Sequence, residues 1–311
     1  MPPSSPTAGA AVAIDPRSLA AIRRRILAWY DLAHRDFPWR GTTDPYAVLV
    51  SEVMLQQTQA SRIAERFPRF LNRFPTAAAL AAARPSEVLD AWSGLGYNRR
   101  ALALRAAAAA VAADGWPADV AGLERLPGIG PYMARAVASL AFGQPAGVVD
   151  TNVRRWLVRR LAVHDSPRDL QAAADALATA APAGRAADWT HASMEFGAGI
   201  CRARQPRCDV CPVARGCPSR GTAAAVPVAR QAALRGSDWA YRGAIVRILA
   251  AAPGHAMPSV TLRAMLGRDT KRVGPALDDA GWRRVLDALE RDGLVHRAGR
   301  DVLLGAATIG P

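Results

Sequence analysis

All four cysteines of the chain lie in one short segment, CRARQPRCDVCPVARGC (201–217). They are Cys201, Cys208, Cys211 and Cys217, and their spacing is C-x6-C-x2-C-x5-C. Such a group could form two disulfides, bind one zinc ion or hold an iron–sulfur cluster. Zinc ribbons usually present two C-x2-C pairs, and only Cys208 and Cys211 have that spacing here. An irregular loop with four thiolates therefore favours a cluster of the cubane type.

Two acidic residues occur in surroundings that suit acid–base chemistry. Glu52 lies in YAVLVSEVMLQQT, where its neighbours at helical spacing are mostly apolar. Burial raises the pKa of a carboxyl, which suits a general acid near neutral pH, although a buried structural glutamate would have the same pattern. Asp150 in VVDTNVRR follows an apolar stretch and opens a helix. It is predicted to be an N-cap, a catalytic carboxylate or both, and Asn152 has the same ambiguity.

The segment LPGIGP (126–131) stands between two predicted helices. Its glycines, Gly128 and Gly130, permit a sharp turn and the close approach of a phosphate. The helix that follows offers free N–H groups and the positive end of its dipole. Since the net charge is +14 and the pI about 11, we expect a helix–hairpin–helix that binds a DNA backbone, with a plain helix break as the alternative. We also expect a positive surface from the basic residues of the cysteine segment, which are Arg202, Arg204, Arg207 and Arg215.

The elements that must position these residues are mostly helices. From Leu19 to about Thr190, apolar residues recur at three and four spacings, and short Pro, Gly and Asp breaks separate the segments. No alternating strand pattern of useful length occurs there. The sequence therefore predicts an all-α domain over 19–218 that includes the cysteine loop.

A second, smaller domain is predicted after a linker at 219–238. Helical patterns at 239–252, 259–266 and 278–293 precede a hairpin, LVHR-AGRD-VLLG. Three helices followed by a hairpin indicate an α+β domain of the winged-helix type over 239–311. Residues 1–18 are predicted to be a disordered tail.

Composition limits where the protein works and what it binds. No apolar run reaches the 18 to 20 residues of a membrane helix, and the amino terminus lacks the basic start of a signal peptide. We expect a cytoplasmic monomer, associated with the nucleoid if the source is bacterial. Disulfides are rare in that compartment, which makes metal binding the better interpretation of the cysteines.

Taken together, these segments resemble the endonuclease III superfamily of helix–hairpin–helix DNA glycosylases, and its MutY branch in particular. The similarity extends roughly from residue 25 to 217. The segments that carry it are FPWR (37–40), SEVMLQQTQ (51–59), GLGY (94–97), LPGIGPY (126–132), VVDTNVRR (148–155) and the cysteine loop, whose spacing is that of the family's [4Fe–4S] ligands.

The resemblance implies a role for individual residues. Glu52 would be the catalytic acid, and Asp150, with Asn152 beside it, the second catalytic carboxylate. Gln57 and Tyr97 would enter the base stack opposite an extruded base. The positions that would line the adenine pocket are Arg40, Leu55 and Glu195.

The resemblance also implies a reaction. The branch that cuts the DNA strand has a lysine where this chain has Tyr132, and Lys271 is the only lysine present. We therefore expect a monofunctional glycosylase that flips adenine out of a mismatch with 8-oxoguanine or guanine in double-stranded DNA and hydrolyses its N-glycosidic bond. Two alternatives remain: a thymine or uracil mismatch glycosylase of the same clade, and a non-enzymatic regulator with a redox-sensing cluster.

The chain departs from the MutY pattern in three places. Residues 239–311 have a winged-helix pattern where MutY proteins carry a Nudix-like domain. Asn98 follows GLGY where a tyrosine is usual. His191 replaces a glutamine four residues before Glu195, and we expect it to pack near the pocket or support it.

Overall fold

The structure is a computed structural model that describes residues 15–222, Val226 and 234–306. Most of the predicted disordered tail, residues 1–14, lies outside the described residues. The same holds for 223–225 and 227–233 of the predicted linker and for 307–311 at the end of the predicted winged-helix domain.

Helices make up most of the described chain. In chain order they are α1 (Pro16–Ala33), α2 (Pro45–Leu55), α3 (Ala60–Arg73), α4 (Ala77–Ala82), α5 (Pro85–Trp92), α6 (Arg99–Asp114), α7 (Val120–Glu124), α8 (Pro131–Leu140), α9 (Thr151–Leu161), α10 (Pro167–Thr179), α11 (Ala186–Gly199), α12 (Asp238–Ala251), α13 (Ser259–Arg268), α14 (Thr270–Val273) and α15 (Asp279–Arg291). The strands are β1 (Ala256–Pro258), β2 (Val295–Ala298) and β3 (Asp301–Leu304). The all-helical character expected up to the cysteine loop is confirmed.

Side-chain caps and prolines set many helix starts. Asp15 accepts hydrogen bonds from two backbone N–H groups at the start of α1, and Pro16 occupies the first helical position. Ser166 and Pro167 do the same for α10. These local signals explain why helix boundaries in this chain follow the sequence pattern closely.

The described residues form two compact units. The first contains 15–48 and 131–222, and the second contains 49–130 and 234–306. The chain passes from one unit to the other within α2 and again between Gly130 and Pro131. This division differs from the predicted one into 19–218 and 239–311, which stays a prediction.

The core of the first unit lies among α1, α9, α10 and α11. Trp156 of α9 is fully buried and meets Phe196 and Trp189 of α11 edge to face, with ring centroids 5.7 and 6.3 Å away. Leucine, isoleucine and alanine side chains of α1 and α10 complete this cluster. A continuous apolar core of this kind fixes the N-terminal end of α9 and the C-terminal end of α11.

The second unit joins α3 to α7 with a small C-terminal region. In the first part, α4 and α5 pack on α6, and Phe70 and Trp92 meet edge to face at 5.9 Å. In the C-terminal region, α12 packs on α13 and α15 and also contacts α5. The three strands pair antiparallel in the order β1-β3-β2.

The predicted helices–hairpin order of the C-terminal region is confirmed, with one omission. Strand β1 was not predicted because three residues, AMP, are too short to have an alternating pattern; it pairs with β3 through Met257 and Val302. The structure therefore has a three-stranded sheet instead of a hairpin alone. No helix in the described part of the chain is both long and apolar enough to cross a membrane.

Candidate functional site

Asp150 caps helix α9 with its side chain. Its Oδ1 accepts hydrogen bonds from the N–H groups of Asn152 (2.8 Å) and Val153 (2.6 Å), and Oδ2 accepts one from Asn152 Nδ2 (2.7 Å). Burial raises the pKa of Asp150, and the hydrogen bonds to Val153 and Asn152 and the charge of Arg155 act against that rise. The structure thus gives the Asp150 carboxyl group a fixed orientation and keeps it partly shielded from water.

Arg155 connects this cap to the cysteine loop. Its Nη2 donates to Asn152 Oδ1 at 2.9 Å and to the carbonyl of Gly197 at 2.7 Å. Its Nε donates to the carbonyl of Cys201 at 2.7 Å. The side chain is buried, so one guanidinium holds α9, α11 and the start of the loop in a single network. A displacement of the loop at Cys201 would therefore be transmitted through Arg155 and Asn152 to Asp150.

Glu52 lies in a helix that is buried on every side. All residues of α2 from Tyr46 to Met54 are buried, and Glu52 itself is 4% exposed. Leu55, at the end of the helix, is half-buried. Glu52 and Leu55 belong to the second unit, whereas Asp150 belongs to the first.

Arg40 and Glu195, two of the predicted pocket residues, form an ion pair. Glu195 is buried and accepts hydrogen bonds from Arg40 Nη2 and Arg35 Nε, both at 2.5 Å. Although burial acts to raise it, these bonds hold the pKa of Glu195 below its ordinary value. The Arg40 guanidinium also lies 5.5 Å from the ring centroid of Tyr30. The pair therefore places two opposite charges beside an aromatic ring in a largely buried position.

His191 lies one turn before Glu195 on α11. Burial, and then the positive charge of Arg40, lowers its pKa to about 4. The imidazole is therefore neutral at physiological pH. A neutral, half-buried ring is consistent with the packing or supporting role expected from the sequence.

Gln57 and Tyr97 share an unusual backbone conformation. Their φ angles are 57° and 48°, in the left-handed region that residues other than glycine seldom adopt. Such strain is concentrated at functional sites, where the surrounding structure must maintain it.

Arg100 ties the Gln57 and Tyr97 segments together within the second unit. It donates a hydrogen bond to the Val53 carbonyl at 2.8 Å and a second one to the carbonyl of Gln56. Its guanidinium lies 5.1 Å from the centroid of the Tyr97 ring. Both strained segments are thus held by one side chain.

The predicted helix–hairpin–helix turn is formed. Gly128 has a φ of 74°, and a Cβ there would come within 2.5 Å of the Ala103 Cβ, so only glycine fits. Gly130 is exposed and no atom lies near its missing Cβ. Tyr132 is the second residue of α8, the helix whose N-terminal end follows this turn.

All four cysteines line one cavity with Arg159 and Arg160, and none of them is joined in a disulfide. Burial raises the pKa of Cys201 and raises that of Cys211 to about 11. Among the described residues, no three His, Cys, Asp or Glu side chains converge on a point that could hold a single metal ion. The ligands of a four-iron cluster bind separate irons, so they lie further apart than the ligands of one zinc ion.

The arginines of the cysteine loop face solvent. They are Arg202, Arg204, Arg207 and Arg215, and all four are exposed. Arg159 Nη1 lies 3.9 Å from Cys201 Sγ and also donates to the Arg202 carbonyl at 2.7 Å. The loop therefore combines half-buried cysteine side chains with an outward-facing positive surface.

The structure brings together Asp150 with Asn152, Arg40 with Glu195, and the four cysteines. Sequence reasoning missed the residues that connect these groups, which are Arg35, Arg100 and Arg155. Arg155 could have been suspected, because it follows Asn152 at i+3 on a helix. Arg35 and Arg100 had no such signal, since their partners are distant in sequence or are backbone carbonyls.

Comparisons with known proteins show what this chain is similar to. Residues 50–180 match the model of the HhH-GPD superfamily of base excision DNA repair proteins. The chain is 42% identical to an adenine DNA glycosylase of Mycolicibacterium smegmatis, over 92% of this chain and 97% of that protein.

Two solved structures are similar in fold. A thermostable thymine-DNA glycosylase matches with a TM-score of 0.60 and 29% identity, covering 65% of this chain and 96% of that one. A trapped endonuclease III–DNA covalent intermediate matches with a TM-score of 0.55 and 24% identity, covering 66% of this chain and 96% of that one. The second likeness shows the fold alone.

Proposed function

Because this chain belongs to the adenine DNA glycosylases of the HhH-GPD superfamily, we propose that it removes adenine from a mismatch with 8-oxoguanine or guanine in double-stranded DNA. The base would be flipped out of the duplex before its glycosidic bond is hydrolysed. The exposed turn at Gly128 and Gly130 and the arginines Arg202 and Arg204 would bind the phosphate backbone.

Asp150 would stabilise the positive charge that develops on the sugar. A carboxylate that is shielded from water interacts strongly with such a charge, and its three hydrogen bonds remove the need to reorient during the reaction. Asn152 would hold the carboxylate from the side, and Arg155 would hold Asn152.

Glu52 would supply the proton that lets adenine leave as a neutral base. Its burial in α2 supports this role, since a carboxyl kept from water is suited to general acid catalysis. The division of labour between two carboxyl groups is the one used in glycoside hydrolysis.

The pocket and the stack would be occupied by different sets of residues. Arg40 and Glu195, in the first unit, would contact the extruded adenine, with the carboxylate of Glu195 able to accept a hydrogen bond from an exocyclic amine. Leu55, in the second unit, is proposed as a pocket residue from the resemblance alone. Gln57 and Tyr97 would enter the gap that the extruded base leaves in the base stack. Their strained backbones support a role in which the side chains must point in a fixed direction.

Tyr132 makes the proposed enzyme monofunctional. A phenol cannot form a Schiff base with the sugar, and the only lysine, Lys271, lies in α14 of the C-terminal region. The expected product is an intact abasic site, without strand cleavage.

The cysteine loop would hold a [4Fe–4S] cluster through Cys201, Cys208, Cys211 and Cys217. The four cysteine side chains around one cavity and the nearby guanidinium of Arg159 fit such a group, because its thiolates carry negative charge. The cluster would have a structural role, as four cysteine ligands leave no iron open for chemistry.

The single observation that carries the adenine assignment is the extent of the similarity. The adenine glycosylase relative is matched over 97% of its length and 92% of this chain, whereas the thymine-DNA glycosylase structure covers 65% of this chain. Because of the similarity to that structure, thymine in a mismatch with guanine is the second candidate substrate.

The decisive experiment is single-turnover base release from four duplexes: A opposite 8-oxoguanine, A opposite G, T opposite G and U opposite G. Each is treated with and without alkali to separate base removal from strand cleavage. We expect alkali-dependent breakage with the two adenine duplexes only. Release of thymine or uracil would replace the assignment, and no release from any duplex would favour a DNA-binding regulator.

A further inference from the structure

Two aromatic rings lie exposed beside each other in the second unit. Tyr97 is 45% exposed and Trp239 is 56% exposed, although large apolar side chains of this kind are usually covered. Their ring centroids are 6.2 Å apart and the rings are tilted by 46°. Tyr97 belongs to the GLGY segment, and Trp239 lies in the first turn of α12.

Each ring is backed by a fixed guanidinium. Arg100 lies 5.1 Å from the Tyr97 centroid and is held by the carbonyls that α2 leaves free at its end. Arg242 lies 5.1 Å from the Trp239 centroid and is paired with Asp292. One face of each ring is therefore in contact with a positive group. Because this contact already holds the ring in place, the ring loses little conformational entropy when it binds a partner.

The position of Trp239 relative to Tyr97 is also fixed by the packing of α12. This helix contacts α5, and β3 does so as well. Asp292 pairs with Arg242 and lies 3.6 Å from Arg99 of α6. A side chain at Gly305 would come within 3.0 Å of Pro85, which indicates a close contact between the sheet and α5. Trp239 is thus presented by an ordered scaffold.

We propose that Trp239 and Tyr97 form one aromatic platform that stacks against the bases of the strand opposite the extruded adenine, so that the C-terminal region takes part in reading the lesion. The proposal rests on the proposed function. Removing a base from a duplex leaves its partner partly unstacked, and aromatic rings replace lost stacking without regard to sequence. Successive bases of one strand are about 3.4 Å apart, so a ring 6.2 Å from Tyr97 lies within two base steps of it.

The charges around the platform match a DNA strand. Arg99, two residues after Tyr97 in sequence, is largely exposed, and the Arg242 guanidinium lies 5.1 Å from the centroid of the Trp239 ring. Arginines beside aromatic rings allow a base to stack while its phosphate is neutralised. Asp292, the acidic residue nearby, is engaged by both arginines.

The test compares Trp239→Leu and Trp239→Phe in the full-length protein. Leucine keeps an apolar contact with Tyr97 but removes the aromatic face, and phenylalanine keeps a ring. The matched control is Val260→Ala, another exposed apolar residue of the C-terminal region. Binding is measured on a duplex with a non-hydrolysable adenine analogue opposite 8-oxoguanine and on the same duplex without a mismatch. In a second assay, 5-iodouracil next to 8-oxoguanine serves as the photo-cross-linking probe.

We expect Trp239→Leu to bind the lesion duplex about 5- to 100-fold more weakly, from the loss of one stacking contact. Trp239→Phe should stay within about threefold of the parent, Val260→Ala should be unchanged, and the cross-link should map to Trp239. The platform would be overturned if the leucine variant bound the lesion duplex as tightly as the parent, or if it lost the same affinity on both duplexes. In either case, adenine release by the parent would still support the proposed function. If the parent protein releases no adenine, the proposed function fails and the platform with it.

Discussion

Arg155 offers the sharpest test of how the cysteine loop and the candidate active site depend on each other. Its guanidinium donates to the carbonyl of Cys201, to the carbonyl of Gly197 and to Asn152 Oδ1. Lysine has one ammonium on a flexible stem and cannot serve three acceptors in different directions. In Arg155→Lys we expect two of the three bonds to be lost.

The expected size of the effect follows from those bonds. At about 1.5 kcal/mol for each hydrogen bond to a charged donor, the free energy of unfolding should fall by about 3 kcal/mol. Because Asn152 then no longer fixes Asp150, we also expect base release to slow by about 10- to 100-fold, the range that a displacement near 1 Å can cause.

The matched control is the neighbouring residue. Arg154 pairs with Asp165 at 2.5 Å on a partly exposed face, so Arg154→Lys should change stability by no more than about 1 kcal/mol and leave the rate intact. Chemical denaturation and single-turnover base release with saturating protein separate the two effects. If Arg155→Lys lost stability but released adenine as fast as Arg154→Lys, the link from the loop to Asp150 would be refuted.

Three other expectations concern single residues. Glu52→Gln should abolish single-turnover base release while it leaves binding to the mismatch duplex within about threefold, because only the acidic proton is lost; release at the parental rate would contradict the acid role. His191 has a pKa of about 4 against an ordinary 6.5, so the unfolded chain takes up a proton first as the pH falls. The free energy of unfolding should therefore be full above pH 6.5 and decrease by about 3 kcal/mol towards pH 4. Denaturant melts of His191→Gln across this range should lack that decrease, and a pH dependence equal to that of the parent would argue against a neutral His191 ring in the folded protein. Cys208→Ser should reduce iron content, visible absorbance and affinity for duplex DNA together, and normal folding and binding without iron would exclude a structural cluster.

Much of the candidate site could be predicted from sequence because its signals are local. An N-cap needs only Asp150 and the next three residues, so the sequence located the carboxylate and the helix it opens. The turn at Gly128 requires a positive φ, and a glycine at that position in the sequence indicates such a backbone conformation. The spacing of the four cysteines likewise placed all of them in one loop, and they line one cavity.

The contacts that hold these groups in place depended on the tertiary structure. Arg155 contacts Cys201 and Arg40 contacts Glu195 although the partners are far apart in sequence, so no periodic pattern predicts these pairs. In addition, many of the acceptors are backbone carbonyls, which every residue possesses. Strand β1 exists only because β3 supplies its hydrogen bonds, since three residues have no strand pattern of their own. The pairing of Tyr97 with Trp239 requires α12 to pack on α5, and packing of distant helices depends on the shape of both surfaces. The sequence by itself therefore predicted which residues would carry the chemistry, and the tertiary structure decided which of their neighbours hold them in place.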